Sequence, residues 1–300
     1  MPGGLQREYT QKIQSTESLQ KVFRAQELIA SSRIQKARDG NTAAAPFAAA
    51  ITQAVSAVAT HSNITHPLTT PRTDTNRVAI LLIASDRGMA GAFTAGIIRT
   101  NENLIDQLRQ EGKEPQLYVA GRRAVSYYHY RNTKIVDEWI YGSDRPSPEI
   151  ADQIADRLLA DFMAPVAEGG VAEVHVVYTQ FISLVQQKPR VIRMLPLEVV
   201  ESEHDPNYVE PLYEFEPSVS EVLDALLPRY VRARIRSFML ESAASEVASR
   251  QQAMHAATDN ASAMIAEYTR KANAARQNVI TQELTEIVSG ADGLAADQEY

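Results

Sequence analysis

The sequence predicts an α/β protein: a layered α/β domain inserted between two long terminal α-helices that wind together as an antiparallel coiled coil. Three observations carry that prediction. Long stretches at both ends, Leu5–Asp39 and Arg229–Ser289, contain neither glycine nor proline. The second stretch repeats apolar or small residues every seven positions. Between the ends, short apolar runs alternate with amphipathic segments. The expected organisation is a coiled-coil helix over 1–60, a linker over 61–76, the α/β domain over 77–215 and a second coiled-coil helix over 216–300.

The first segment is dense in Gln, Lys, Glu, Ala and Arg, all good helix formers. Leu19, Val22 and Ile29, with Ile13 and Phe23 nearby, make a narrow apolar stripe. Gly40 and Pro46, in DGNTAAAPFA, predict a kink or interruption, since proline removes a backbone donor and glycine loosens the helix. The pattern resumes at Phe47, Ile51, Val55 and Val58. THSNITHPLTTPRTDTN (60–76) is turn-rich and reads as the linker.

In the middle, RVAILLIA is a short continuous apolar run, as expected of a strand buried on both faces of a parallel sheet. A helix follows in GAFTAGIIRTNENLIDQLRQEG and ends near Gly112, before a strand in QLYVAG. PSPEIADQIADRLLADFMAPV spaces Ile150, Ile154, Leu158 and Phe162 by four, which predicts an amphipathic helix. VAEVHVVYTQF and RVIRMLPLEVV read as two more strands. Alternating strands and helices argue for Rossmann-like layering.

The last segment opens with Pro217, Ser218 and Glu221, spaced as a capping box. Pro228 is expected to break or bend the helix there. Beyond it, Ala233, Leu240, Val247, Met254, Ala261, Tyr268 and Ala275 recur every seven residues, with Ala244, Ile265, Ala272 and Val279 as a second row. Ser237, Gln251 and Thr258 weaken that second row. A seven-residue repeat implies a left-handed supercoil, and small residues imply close approach of the partner helix. At about 1.5 Å per residue the uninterrupted stretch reaches roughly 90 Å, so most of it is expected to project from the domain.

Composition excludes several functions. Net charge is −7, with no basic excess for phosphate backbones, so nucleic acid is not an expected partner. The absence of cysteine excludes disulfides, thiolate metal sites and cysteine nucleophiles. The start, MPGGLQREYTQK, has no apolar stretch and does not read as a secretory signal. VAILLIA (78–84) is far shorter than a membrane span, so any membrane is reached through partners. ASDRGMAGAF (84–93) links a strand to a helix, where phosphate loops sit, but Gly88 and Gly91 do not match a dinucleotide fingerprint. They read as a tight turn. The six histidines (His61, His66, His129, His175, His204, His255) lie apart and read as packed or surface residues. The basic cluster RYVRARIR (229–236) reads as a solvated face and YYHYR (127–131) as packing. No catalytic, cofactor or metal site is expected.

The final helix poses a separate question. In ANAARQNVITQELTEIVSGA (272–291) the apolar residues Val279, Ile280, Leu284, Ile287 and Val288 form a thin stripe in a polar surround. A helix this polar seldom finishes a compact core. This run, with ATDNASAMI, QELIASSRI (26–34), ASDRGMAGAF, LLPRY (226–230) and YTQF (178–181), resembles the γ subunits of F-type ATP synthases, closest to actinobacterial versions. Met89 and Ala90 depart from the family's usual glycine loop, and Lys21-Val22-Phe23-Arg24-Ala25 from its N-terminal pattern. The resemblance implies a non-catalytic coiled-coil shaft inside a ring of three α and three β subunits. The α/β domain would lie below, with the ε subunit and the membrane c-ring, peripheral to the cell membrane on its cytoplasmic side. It further implies that Arg276, Gln277 and Thr281, with Glu283, make hydrogen-bonded contacts with a β-subunit loop. The apolar stripe would bear against a collar in the ring. Two other readings stand beside it: a nucleotide-binding Rossmann enzyme using SDRGMAG, and a self-associating coiled-coil scaffold.

Overall fold

The computed structural model describes residues 3–61, 66–197, 216 and 218–296. Element order is α1 (Gly3–His61), β1 (Arg77–Ile83), α2 (Phe93–Gln110), β2 (Glu114–Ala120), α3 (Arg122–Tyr130), β3 (Asp137–Trp139), α4 (Pro148–Met163), β4 (Glu173–Phe181), β5 (Gln187–Leu195) and α5 (Val219–Ala296). The expected domain tail, 198–215, lies outside the described residues, as do 62–65 of the expected linker.

Neither proline ends its helix. Pro46 sits inside α1 and Pro228 inside α5. An interior proline costs about 3 kcal/mol. At Pro228, Leu223, Leu227 and Val231 on either side are buried in the sheet core, and burial gives about 1.5–3 kcal/mol for each large side chain. Packing therefore carries α5 through the break. Ser218 opens the helix with one half of the expected capping box: its Oγ accepts from Glu221 N at 3.3 Å, while the Glu221 carboxylate accepts from that hydroxyl at 3.2 Å.

The five strands form one sheet in the order β3-β2-β1-β4-β5. β1 pairs parallel with β2 and β4, whereas β5 runs antiparallel to β4 at the edge. Strand β1 shows why its sequence is apolar throughout. Ala79, Leu81 and Ile83 point into a core shared with α4 and α5, including Ile154, Leu158, Phe162, Leu227, Ile235 and Phe238. Val78, Ile80 and Leu82 point to the other face, against Ile97, Leu104 and Leu108 of α2 and Ala124 and Tyr128 of α3. Side chains alternate across a strand, so a sheet covered on both sides needs both sets apolar. The edge strand β5 carries Lys188, Pro189, Arg190 and Arg193, which blunt it against pairing with another chain.

Three features differ from the sequence reading. Helix α3 and the short β3 are additional elements. YYHYR lies at the end of α3, where Tyr128 is buried as packing requires but Tyr130 is exposed. After His66 the expected linker is a packed segment: Leu68 is buried in the sheet core, and His66 is buried with its Nε2 3.0 Å from Asp224 Oδ1.

The chain divides into two compact units, residues 1–29 with 251–300 and residues 30–250. In the first, parts of α1 and α5 pair antiparallel: Glu27 meets His255 Nδ1 at 2.9 Å, Gln20 Nε2 donates to Ser262 Oγ at 2.6 Å, and Tyr9 stacks on Tyr268 at 6.3 Å. The heptad rows face this seam. Met254 and Ala261 are buried, and Gln251, Thr258, Ile265, Tyr268, Ala272, Ala275 and Val279 are half-buried. On α1 the seam consists of Gln6, Tyr9, Ile13, Thr16, Gln20, Phe23 and Glu27. The stripe expected from Leu19, Val22 and Ile29 is not the seam. These three are exposed at 53%, 50% and 46%, because the seam spacing of three and four selects the Ile13–Phe23 side of the helix instead.

Candidate functional site

The residues singled out at the C-terminal end all lie on α5 within the first unit. Helix pairing advances equally along both helices, so Gly3 comes level with roughly residue 275 of α5. Arg276, Gln277, Thr281 and Glu283 are exposed, as are Ile280, Leu284, Ile287 and Val288. The last four are 45%, 58%, 68% and 58% exposed, a run of large apolar side chains turned to solvent. Val279 differs. It is half-buried, in line with the seam residues Tyr268, Ala272 and Ala275.

Helical geometry then groups the rest. At about 100° per residue, Glu283, Arg276, Ile287, Ile280, Leu284, Gln277, Val288 and Thr281 follow one another around a single arc of about 160°. Val279 falls outside it. Ile287, Ile280 and Leu284 sit together in this arc with polar members on both sides and Val288 between Gln277 and Thr281, so the face is mixed. Hydrogen bonds among these residues stay on the helix: Thr281 Oγ1 donates to Gln277 O at 2.9 Å, and Thr285 Oγ1 to Thr281 O at 2.8 Å. Among the described residues, the side chains of Arg276, Gln277 and Glu283 have no partner. Four aliphatic side chains and a hydroxyl on one arc with a guanidinium, an amide and a carboxylate can hydrogen-bond an incoming loop and also slide over an apolar surface.

Below this face the helix pair is braced. Lys12 Nζ bonds Glu8 at 2.6 Å and stands 5.6 Å and 5.9 Å from the ring centres of Tyr9 and Tyr268, which favours its charged form through the Glu8 hydrogen bond.

The loop after β1 has a different chemistry. Asp86 Oδ2 accepts from the backbone N–H groups of Tyr141, Gly142 and Ser143 at 3.2, 2.5 and 3.1 Å, and Oδ1 from Arg122 N at the start of α3 at 2.7 Å. A carboxylate thus fills the N–H cluster that a phosphate would need, and its charge opposes one. Met89 and Gly91 take positive φ of 58° and 55° to make the turn. An open cleft of about 750 Å3 lies alongside, lined by Gly88, Arg99, Arg123, Tyr127 and Tyr130 among others. Gly121, after β2, has φ of +120°, and a Cβ there would lie 2.4 Å from Ala84 O. The described histidine side chains each lie against a carboxylate: His66 by Asp224, His129 by Glu138, His175 by Glu173 and His255 by Glu27. His61 and His204 fall outside the described side chains. Sequence reasoning did not single out the Asp86 cluster; the signal was Asp86 itself, an acid where phosphate loops carry glycine or a base.

A mixed sheet carried between two terminal helices defines a recognisable class. It matches a chain of the Euglena gracilis mitochondrial ATP synthase OSCP/F1/c-ring assembly in rotational state 3, with TM-score 0.68 and 13% identity over 99% of this chain and 97% of that one. A chain of the Tetrahymena thermophila central stalk and c-ring matches with TM-score 0.54 and 18% identity over 79% and 99%. Those likenesses show a shared fold. The family model described as ATP synthase matches residues 6–294. An ATP synthase gamma chain of Beutenbergia cavernae is 60% identical over 98% of this chain and 99% of its own length, and one of Kineococcus radiotolerans 52% over 98% of each. The chain belongs to the ATP synthase family, among its gamma chains.

Proposed function

We propose that this chain is the central rotor shaft of the F1 sector, with its α5 end seated in the α3β3 ring. The single observation supporting the seat is the mixed face at that end, where Arg276, Gln277, Thr281 and Glu283 share an arc with Ile280, Leu284, Ile287 and Val288. In this reading the polar four hydrogen-bond a β-subunit loop and the apolar four bear on a collar. Val279 belongs to the shaft's own seam. Residues 1–60 and 216–300 supply the shaft and 77–215 the foot, which meets the ε subunit and the c-ring. Among the described residues no helix is long and apolar enough to cross a membrane; the chain reaches the membrane, from its cytoplasmic side, through those partners. It has no active site of its own, and ATP chemistry belongs to the β subunits.

The mechanism follows from asymmetry. One shaft in a threefold ring presents a different face to each β subunit, and rotation exchanges the three catalytic states. Moving a two-state equilibrium from 1:99 to 99:1 needs roughly 5.5 kcal/mol of differential contact. Charge-assisted hydrogen bonds give about 1.5–3 kcal/mol each, enough to favour one angle jointly and weak enough to break at each step. Proton flow through the c-ring drives rotation for synthesis, and ATP hydrolysis drives it in reverse.

The test replaces Arg276 and Gln277 with alanine in the assembled complex. Coupled ATP turnover should fall by about tenfold, the loss of one such contact, while subunit stoichiometry stays that of one copy per hexamer. Wild-type turnover with wild-type proton pumping would refute the contact. A homodimer without hexamer would favour the scaffold reading, and tight binding of NAD or ATP to the isolated chain the enzyme reading.

A further inference from the structure

Within residues 30–250, α5 packs against both the sheet and α1. Part of its buried face is smooth: Ala243, Ala244, Val247 and Ala248 are all at most 2% exposed, the last two packed with Ala30 and Ile34 of α1. Beside that face runs a ridge of polar residues, Ser242, Ser245, Glu246, Ser249 and Arg250, spaced by three and four. Ser242, Ser245, Ser249 and Arg250 each have a hydrogen-bond partner off the helix. Ser242 Oγ accepts from Thr179 N at 3.1 Å and Ser245 Oγ donates to Thr179 O at 3.1 Å, just past Val177, where the β1–β4 ladder ends. Ser249 bonds Gln187 at 3.2 Å. Arg250, 7% exposed, holds Glu246 Oε1 at 2.5 Å and reaches Gly88 O at 3.4 Å.

Glu246 is 1% exposed and faces the hydroxyl of Ser143, which favours its charged form. The same hydroxyl oxygen accepts from Asp86 N at 2.8 Å, and Asp86 in turn gathers the backbone of Tyr141–Ser143. Helix α1 joins from the other side, where Arg33 pairs with Asp144, which also faces Arg87 at 3.8 Å. Burial pushes the Glu246 carboxyl up, opposed by Arg250.

A buried ion pair is weak evidence for stability, because desolvation offsets most of the attraction. Its distinctive property is direction. Alanine faces slide over one another at little cost, whereas hydrogen bonds weaken steeply once bent. Taking the rotor reading as given, we propose that Glu246 and Arg250, acting through Ser143, Asp86 and Gly88, are positioning residues. They lock the azimuth of α5 against the loops after β1 and β3, so that torque entering the sheet turns the helix instead of slipping past it.

The test is the double variant Glu246→Met with Arg250→Met in the assembled complex, since apolar replacement of both partners is often neutral to stability. ATP hydrolysis should stay at the wild-type rate. Protons pumped per ATP should fall by about twofold to thirtyfold, the range for residues that carry coupling between sites. Amide exchange at 86–91 and 140–145 should accelerate. Wild-type pumping per ATP would overturn the lock, whether or not exchange accelerates. Should the double variant fail to assemble, Ser143→Ala, which removes one hydroxyl, decides by the same ratio. The rotor reading itself fails separately, if the Arg276 and Gln277 variant keeps full coupled turnover.

Discussion

Helix α5 contains two stretches of opposite character. From Ser242 to Ala248 every residue is buried; from Thr281 to Ser289 every residue is exposed. Both are regular helix, so helix propensity does not separate them. The difference lies in where side chains find partners. In the buried stretch Ser242 and Ser245 bond to the sheet. In the exposed stretch Thr281, Thr285 and Gln282 bond only along their own helix. One stretch is finished inside this chain, and the other is left open for contacts from outside. That contrast predicts a steep gradient in mutational cost along a single helix.

The steepest point is Phe238. It is 1% exposed and packs its ring 4.5 Å from that of Tyr178, with the Arg234 guanidinium 4.7 Å from its centre. Phe238→Ala should cost about 3–5 kcal/mol of unfolding free energy, read by denaturant titration of the isolated chain. A cost below 1 kcal/mol would mean that the α5–sheet core just ahead of the buried stretch is not where stability resides. One step down stands Ala261, 4% exposed in the seam of the helix pair. Ala261→Leu adds volume where two helices approach closely and should cost about 1–3 kcal/mol. A neutral result would show the seam to be loose.

The sequence was most legible where one physical rule dominated. β1 was read from its unbroken apolar run, α4 from its spacing of four, and the α5 seam from its heptads. Even Gln251 and Thr258, which blur the second row, sit half-buried in that seam. Legibility failed where tertiary packing chose between equivalent options. Leu19, Val22 and Ile29 look like a seam by hydrophobicity, yet Thr16 and Gln20 take those places, since a narrow seam admits small or hydrogen-bonding residues. Pro228 reads as a break because local rules omit the burial on either side. At the α5 end the apolar residues were read from the pattern and the polar four by resemblance, and their common face came from helix geometry. Val279, read both in the second heptad row and in the thin stripe, is half-buried in line with the row.

His175 offers a smaller perturbation within the sheet. Burial holds its imidazole below the ordinary value of 6.5, against the opposing pull of Glu173 at 2.8 Å. A depressed folded-state value means that the native state favours the neutral ring. The stabilising contribution is then complete above about 6.5 and is lost as pH falls through the lower, folded value. Thermal unfolding of the isolated chain should therefore weaken more on acidification than that of His175→Gln. Parallel pH profiles for the two proteins would remove His175 from the account.

The smallest effect on stability is expected at the exposed stretch, and it carries the sharpest version of the comparison. Leu284 and Ile287 are 58% and 68% exposed, so each has little apolar contact to lose within this chain. Leu284→Ser with Ile287→Ser should change the unfolding free energy of the isolated chain by less than about 0.5 kcal/mol per site. In the assembled complex the same pair faces a collar in the rotor reading. Each buried methylene is worth about 0.8 kcal/mol there, so the variant should loosen the seat and reduce coupled turnover. The two measurements must separate for the reading to stand. If the serine pair destabilises the isolated chain as Phe238→Ala does, these side chains serve the fold. If it changes neither stability nor turnover, the apolar half of the mixed face bears on nothing.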